Sequence, residues 1–550
     1  MTSYGFVIDN RKCIGCHACT TACKAEHDVP VGVNRTWVKY IEKGEYPDTK
    51  RTFTVHRCNH CDDAPCVEIC PVSALFNRDD GIVDFDKNRC IACKSCTQAC
   101  PYDALYIDPE TDTAAKCNYC SHRVDVGLQP SCVNVCPEHA IISGDMENPD
   151  SEISDIIERE PVQARKVEKG TEPKLFYVDG DESSVTPSAT SKDTEYMWSS
   201  QAGGIGHSAG DSAPMSGDGA GAVESKTNDK KVEADGGVAT SENVRDGISS
   251  TVKGSYKEIT GKVRRVYDVP DEGIMWGWEV PAYVVTKAVA AGVFLMAAMM
   301  GLMGTMPFDS TASAASGIVS LVFLGLTGVL LILDLDRPER FYYTLVRPHW
   351  TSWLTRGSYI ISFYGLFMTV WTVAAFLGLG SLLSVLVWPG IVLAILTAIY
   401  TAFLFAQAKG RDFWQSPLLP FHMFIHAVIA GPAALLILGV AGLSVPMGTM
   451  TTVLLAGLIA NTLILGAEIT VTHPTEDAAE VAHMIKSGRY SNLFWGGVMG
   501  AGNLLPIILA GYAAVSGGAF IGAVAGILAL VGMYAAEQIW VEAPQLIPNA

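Results

Sequence analysis

The sequence predicts a chain of two unlike parts: a small α+β domain organised by cysteines, then an all-α bundle of eight transmembrane helices. Three observations carry this. All 16 cysteines of the 550-residue chain lie between Cys13 and Cys136. Eight long apolar runs fill the second half. Between the two parts, from about 181 to 255, the composition falls to Ser, Gly, Thr, Asp and Ala with few aliphatics, which predicts a disordered linker.

The cysteines form four quartets: 13/16/19/23, 58/61/66/70, 90/93/96/100 and 117/120/132/136. Each opens with C-x-x-C and closes with C-x-x-x-C, and in the last three a proline (Pro71, Pro101, Pro137) follows at once. A disulfide framework demands no such regularity. A [4Fe-4S] cluster does, because a short loop must wrap three thiolates around three iron corners. In the bacterial two-cluster arrangement the fourth cysteine ligates the other cluster, so Cys100 in "CIACKSCTQACP" is expected to reach a second one. Sixteen ligands at four each give four clusters. Zinc competes, since C-x-x-C pairs also build zinc ribbons, but two complete C-x2-C-x2-C-x3-C runs are far more specific to iron–sulfur.

Two decoys fail. "CIGCH" (13–17) matches covalent haem attachment, but haem there would strand Cys19 and Cys23. "GGIGHSAG" (203–210) mimics a dinucleotide loop with no strand before it and no helix after.

Short strands in "GIVDFDKNRC" (81–90) and "ALYIDPETDTAAKC" (104–117) precede two cluster runs, an arrangement that resembles ferredoxin. An acidic helix, "SEISDIIEREPVQARKVE", and a strand, "KLFYVDG", complete a domain spanning 1–180. A basic juxtamembrane segment (256–271) leads to the membrane domain (272–550). The apolar runs lie near 279–306, 315–334, 357–379, 383–407, 419–442, 447–471, 492–515 and 518–540, each close to the ~20 residues that cross a bilayer as a helix.

With eight spans, both ends of the bundle share a side with the cluster domain. That side holds Lys262, Arg264, Arg265, Arg337, Arg340, Arg347, Arg356, Lys409, Arg411, Lys486 and Arg489. The opposite loops, such as "PFDSTASA" and "LSVPMGT", hold no Lys or Arg, so the cluster domain is expected on the cytoplasmic side of a bacterial or archaeal membrane. "MTSYGFVIDNRK" has no export signal, in agreement. The alternative is the periplasmic side.

Charges within a span mark function by default. Lys287 follows Tyr283 and Glu279 at i+4 spacing on one helix face of the first span. Glu468 lies in the sixth span, and Asp334 and Asp336 close the second. These suit a quinone headgroup site or a proton path; the plain alternative is a Lys287–Glu468 ion pair that orients helices. His422 and His426 share a face of the fifth span, but bilayer haem needs axial residues from two helices, so no haem is expected.

Residues 1–180 resemble the four-cluster electron-transfer subunit of molybdopterin oxidoreductase complexes of the polysulfide, dimethyl sulfoxide and nitrite systems. Residues 270–550 resemble the NrfD/PsrC family of quinone-reactive membrane anchors, through "WGWEVPAYVV", "LDLDRPERFYYTLVRPHWTSWLTRG", "AKGRDFWQSPLLP", "EITVTH" and "FWGGVMG". The chain thus looks like a fusion of two subunits. The resemblance implies interleaved ligand sets: Cys13, Cys16, Cys19 and Cys136; Cys117, Cys120, Cys132 and Cys23; Cys58, Cys61, Cys66 and Cys100; Cys90, Cys93, Cys96 and Cys70. It also implies electron transport between menaquinone or ubiquinone and a molybdopterin-containing catalytic subunit that is not in this chain. Relatives of the polysulfide type hold the cluster subunit outside the cytoplasm, whereas sulfite-oxidising ones keep it inside. Glu279, Tyr283 and Lys287 are the quinone or proton-transfer candidates, with Glu468, Arg340 and His349 behind them. The rival readings are a module of an alternative-complex-III-like quinol-oxidising assembly and a ferredoxin-fed quinone reductase. No nucleic-acid partner is expected.

Overall fold

The computed structural model describes residues 2–45, 47–190, 263–268, 273–308 and 310–549. Most of the expected linker lies outside the described residues.

The cysteine-rich part is built from short strands. β1 (Tyr4–Asp9) pairs parallel with β10 (Leu175–Val178), with Phe6 opposite Leu175, and antiparallel with β8 (Ile141–Asp145); β9 (Val162–Ala164) closes this sheet in the order β8-β1-β10-β9. Alternation along "YGFVID" explains its place. Phe6 and Ile8 pack toward Cys19 and Cys132, whereas Val7 packs on Ile142, Ile153 and Val178 beneath the helix Glu152–Arg159. Ser151 caps that helix by accepting from the Ser154 N–H at 3.3 Å. Two hairpins, β4 (Leu75–Asn77) with β5 (Val83–Phe85) and β6 (Leu105–Asp108) with β7 (Thr113–Lys116), stand immediately before cysteine runs.

The three-stranded sheet departs from the sequence reading. β2 (Thr36–Glu45) and β3 (Asp48–Arg57) form a hairpin, and β11 (Val263–Tyr267) adds to the free edge of β2. β11 comes from the segment expected to lie at the membrane surface. Its basic residues suit a juxtamembrane segment, but "VRRVY" also alternates as a strand does. Arg265 is buried, donating to Asp268 at 3.0 Å, Thr190 at 3.2 Å and the Pro187 carbonyl at 3.0 Å. Residues 181–190, expected as the start of the linker, are folded too. They form a short helix Glu182–Val185 and a turn, and Thr54 donates to the buried Ser184 hydroxyl at 2.8 Å.

Among the described residues, eight helices are long and apolar enough to cross a membrane: Glu279–Leu302, Thr311–Leu333, Trp353–Phe376, Gly380–Gln407, Leu419–Val440, Met447–Thr470, Leu493–Ser516 and Ala519–Gln545. We call them the first to eighth spans. Large apolar side chains such as Val322, Phe363, Trp388, Leu463 and Val515 stand exposed on their outer faces, where lipid rather than water accounts for them. Small residues bring backbones together. A Cβ at Gly292 would collide with the Ala427 carbonyl of the fifth span, and one at Gly502 with Gly532 of the eighth. The seventh span opens with a π-helical stretch, Leu493–Leu504, in which the Asn503 amide donates back to the Val498 carbonyl at 2.8 Å. An amphipathic helix, Glu476–Lys486, links the sixth and seventh spans and buries Val481 and Ile485.

Candidate cluster sites and the face they share with the membrane half

Three enclosed cavities are each lined by four cysteines. One holds Cys70, Cys90, Cys93 and Cys96; the second Cys58, Cys61, Cys66 and Cys100; the third Cys13, Cys16, Cys19 and Cys136. The remaining four gather too: burial, with Cys117, Cys132 and Cys120 beside it, pushes the Cys23 thiol up. None of the sixteen is joined in a disulfide. Cys100 thus lines a cavity with the first three cysteines of the second quartet, and Cys70 one with the first three of the third.

Loop geometry explains how short peptides make these cradles. The residue before the second cysteine of every quartet is left-handed: Gly15 (φ 70°), His60 (φ 45°), Ala92 (φ 57°) and Tyr119 (φ 61°). Only one of the four is glycine, so three loops hold strained backbone. The repeated C-P-x-x-A segments end alike. Ser73, Asp103 and His139 are left-handed, and the Ala74 and Ala140 N–H groups turn back to Cys70 Sγ and Cys136 Sγ, each at 3.2 Å. Four thiolates around an apolar cavity with inward N–H donors fit an iron–sulfur cube.

The quartets form a series. Cys19 lies beside Cys132, Cys117 beside Cys58, and Cys96 beside Cys66. The series therefore runs from the Cys13/Cys16 group, where Cys16 is exposed, to the fully buried Cys70/Cys90 group.

Sequence reasoning overlooked the cations. Arg57 is wholly buried, donates to Cys132 Sγ at 3.0 Å and stacks over the Phe6 ring. Lys116 is equally buried and donates to the Cys117 carbonyl at 2.9 Å. A signal was present: Lys12, Arg57, Arg89 and Lys116 each stand immediately before the first cysteine of a quartet. Buried positive charge beside thiolates compensates their charge in a medium of low dielectric.

The membrane half grips the last quartet by its backbone. Trp276 Nε1 donates to the Cys93 carbonyl at 3.2 Å, Arg340 Nη1 to the Cys90 carbonyl at 2.9 Å, and His349 Nδ1 to the Cys70 carbonyl at 2.8 Å. Ser352 and Thr355 reach the Ile69 and Pro71 carbonyls at 2.6 and 2.8 Å, and Lys94 pairs with Asp336 at 2.8 Å. A Cβ at Gly410 would collide with the Gln98 and Cys100 carbonyls. Arg340 and His349 thus serve the joint between the halves.

Deeper in, Tyr283 and Lys287 are buried and Glu279 is half-buried. Lys287 donates to the Thr401 hydroxyl and lies 4.6 Å from the Tyr400 ring centroid. It does not pair with Glu468, as the helix-orienting alternative required; Glu468 accepts from His422 Nδ1 at 2.8 Å. The reason is bundle topology, which packs the fifth span between the first and the sixth.

Residues 269–549 match the profile "Polysulphide reductase, NrfD". The chain belongs to the NrfD family. In this NrfD-family chain, residues 12–75 and 49–146 match 4Fe-4S dicluster domains, fused ahead of the membrane anchor. The N-terminal part is 44% identical over 188 residues to the tetrathionate reductase B subunit of Salmonella typhimurium (34% of this chain, 75% of that one). It is 42% identical over 180 residues to the polysulfide reductase B polypeptide of Wolinella succinogenes (32% and 93%) and 44% over 179 to protein NrfC of Escherichia coli (32% and 80%). The chain is therefore an iron–sulfur electron-transfer unit joined to an NrfD-type anchor, related to subunits of reductase complexes.

Proposed function

We propose that this chain carries electrons between a membrane quinone and a separate catalytic subunit that contains molybdopterin, with the sixteen cysteines ligating four [4Fe-4S] clusters in the interleaved sets given above. The observation that supports this most is the grip of Trp276, Arg340 and His349 on the carbonyls of Cys93, Cys90 and Cys70. It ties the Cys70/Cys90/Cys93/Cys96 group to the membrane half, with Trp276 standing just before the first span, the helix bearing Tyr283 and Lys287.

When bound, the clusters supply one-electron carriers whose potentials follow their surroundings. The chain's own residues do the rest. Burial keeps water from three quartets, and Arg57 and Lys116 hold charge near the thiolates. Tyr283 and Lys287 are assigned the quinone headgroup: at 1.5 Å per residue they lie roughly 6 and 12 Å along the axis from Glu279, the first residue of the span. A headgroup changing by two electrons needs proton donors within hydrogen-bond reach, which an ammonium and a phenol provide. Glu279, nearer the surface, is assigned proton exchange with water, and Glu468 the relay behind it.

We assign the cluster domain to the cytoplasmic side. Arg337, Arg340 and Arg411 are engaged by the cluster domain, and Arg265 lies within it. Arg347, Arg356, Lys486 and Arg489 still leave that face positive against loops without Lys or Arg. A reporter fused in the loop at 443–446 is expected to be active only outside the cytoplasm.

The function is tested by anaerobic purification of the native complex, followed by metal and haem analysis. Molybdenum without covalent haem, with cluster bleaching by quinone or reduction by quinol, is the expected result. Covalent haem without molybdenum would replace this reading with the quinol-to-cytochrome one.

A further inference from the structure

We propose that His422, His426 and Glu537, with Glu468 behind them, form a binding site for one divalent cation of the zinc class within the membrane half. The site is separate from the cysteine quartets; it shares Glu468 with the proton path assigned above but does not rest on that path.

The geometry comes from three spans. His422 and His426 stand one turn apart on the fifth, with ring centroids 4.4 Å apart. Glu537 reaches in from the eighth and Glu468 from the sixth. One potential ligand atom each from His422, His426 and Glu537 lies within 4.8 Å of the other two. All four residues are buried, none more than 6% exposed.

The bonding of each group points to a missing partner. His422 donates Nδ1–H to Glu468 at 2.8 Å, and its Nε2 is buried with no partner among the described residues. A carboxylate on one imidazole nitrogen with the other left bare is how metal-ligating histidines are oriented. His426 Nδ1 and Glu537 Oε1 lie 2.7 Å apart, yet they are misaligned for a hydrogen bond, and neither has another partner. His426 Nε2 is unpartnered as well. Four orphaned polar atoms therefore fall on three residues in contact, where buried polar groups are ordinarily satisfied. A cation shared by the facing nitrogen and oxygen satisfies both.

Charge agrees. Two carboxylates lie in a low-dielectric interior. The buried ammonium of Lys287 donates to Thr401 and packs on the Tyr400 ring; Glu537 lies within its electrostatic reach, but the two form no ion pair. One dication balances both carboxylates. Imidazole and carboxylate donors suit zinc and its first-row neighbours. Haem does not fit, because two histidines one turn apart on one helix cannot take opposite faces of its iron. The cation would staple the fifth span to the eighth.

The test uses the full chain, purified anaerobically from zinc-supplemented medium with any subunit that accompanies it and washed with a mild chelator. Plasma mass spectrometry is expected to find about one zinc per chain beside the cluster iron, and zinc K-edge absorption a shell of nitrogen and oxygen at about 2.0–2.1 Å without sulfur. His426→Gln and Glu537→Gln should each lose this zinc with iron unchanged. Glu468→Gln should keep it but release it about 10- to 100-fold more readily. Should either of the first two variants fail to fold, zinc titration of chelator-stripped wild type by calorimetry must show one site. The proposal is overturned if iron-replete protein holds no zinc, manganese, cobalt or nickel near one per chain, since protons then balance the carboxylates. It is equally overturned if the zinc sits among sulfur ligands, which would place it in the cysteine quartets, or if it survives both His426→Gln and Glu537→Gln.

Discussion

Arg340 Nη1 bridges two carbonyls of one cluster loop, those of Lys87 and Cys90, each at 2.9 Å. A single guanidinium from the membrane half thereby fixes the loop that enters the quartet begun by Cys90. Hydrogen bonds to a charged donor contribute about 1.5–3 kcal/mol each. Arg340→Gln is expected to lower quinone-linked electron transfer about tenfold at that free-energy scale, with iron content unchanged. Stopped-flow reduction by quinol, read beside an iron assay, checks it.

Lys287 carries the next prediction. Its head is buried in the membrane half, one turn past Tyr283, and it touches Thr401 rather than a carboxylate. Lys287→Met is expected to cost at least about tenfold in quinol oxidation or quinone reduction, in the range of lost proton-transfer catalysis, while dithionite still reduces every cluster. An unchanged rate would leave the lysine a packing residue.

Ala92 tests the strained cradles. Its φ of 57° costs a non-glycine residue about 1–2 kcal/mol. Ala92→Gly should relieve part of that and slow cluster loss to a chelator, whereas Ala92→Val should speed it. Decay of the 400 nm region absorption gives both rates, with roughly a threefold change at about 0.7 kcal/mol.

A pH effect follows from Lys166, which donates to Asn549 Oδ1 at 2.6 Å and faces Asp477 at 3.8 Å. Burial pulls its ammonium down from 10.5 to about 8. The folded group therefore sheds its proton before the unfolded one does, so folding gains stability as pH rises from about 8 toward 10.5. Over that window the gain is at most about 3 kcal/mol. The thermal midpoint of the purified chain should climb between pH 8 and 9.5 more steeply than that of Lys166→Met.

Much of this architecture was legible because its signals are local. Cysteine spacing sorts the quartets within a hundred or so residues, and eight apolar runs separated by polar turns read directly as spans. What escaped depends on distant partners. Nothing in "VRRVY" names β2 as its neighbour or Asp268 as the acid that lets Arg265 be buried. Glu468 gave no sign that it would meet His422 rather than Lys287, since helix neighbours are set by the packing of the bundle. The π-helical turn at Leu493–Leu504 escaped for another reason: its glycines fit an ordinary span equally well. The basic residue before each quartet was in plain view, but it has meaning only once burial shows Arg57 and Lys116 among the thiols.

The placement of β11 changes what a cut between the halves would do. Residues up to 190 and again from 263 belong to the same cysteine-rich domain, so the chain joins that domain on both sides of positions 191–262. A protease or a gene split acting there would leave the anchor carrying a strand that its former neighbour needs at an open sheet edge. The two fragments would then reassociate by strand donation, with Arg265 and Asp268 sealing the seam.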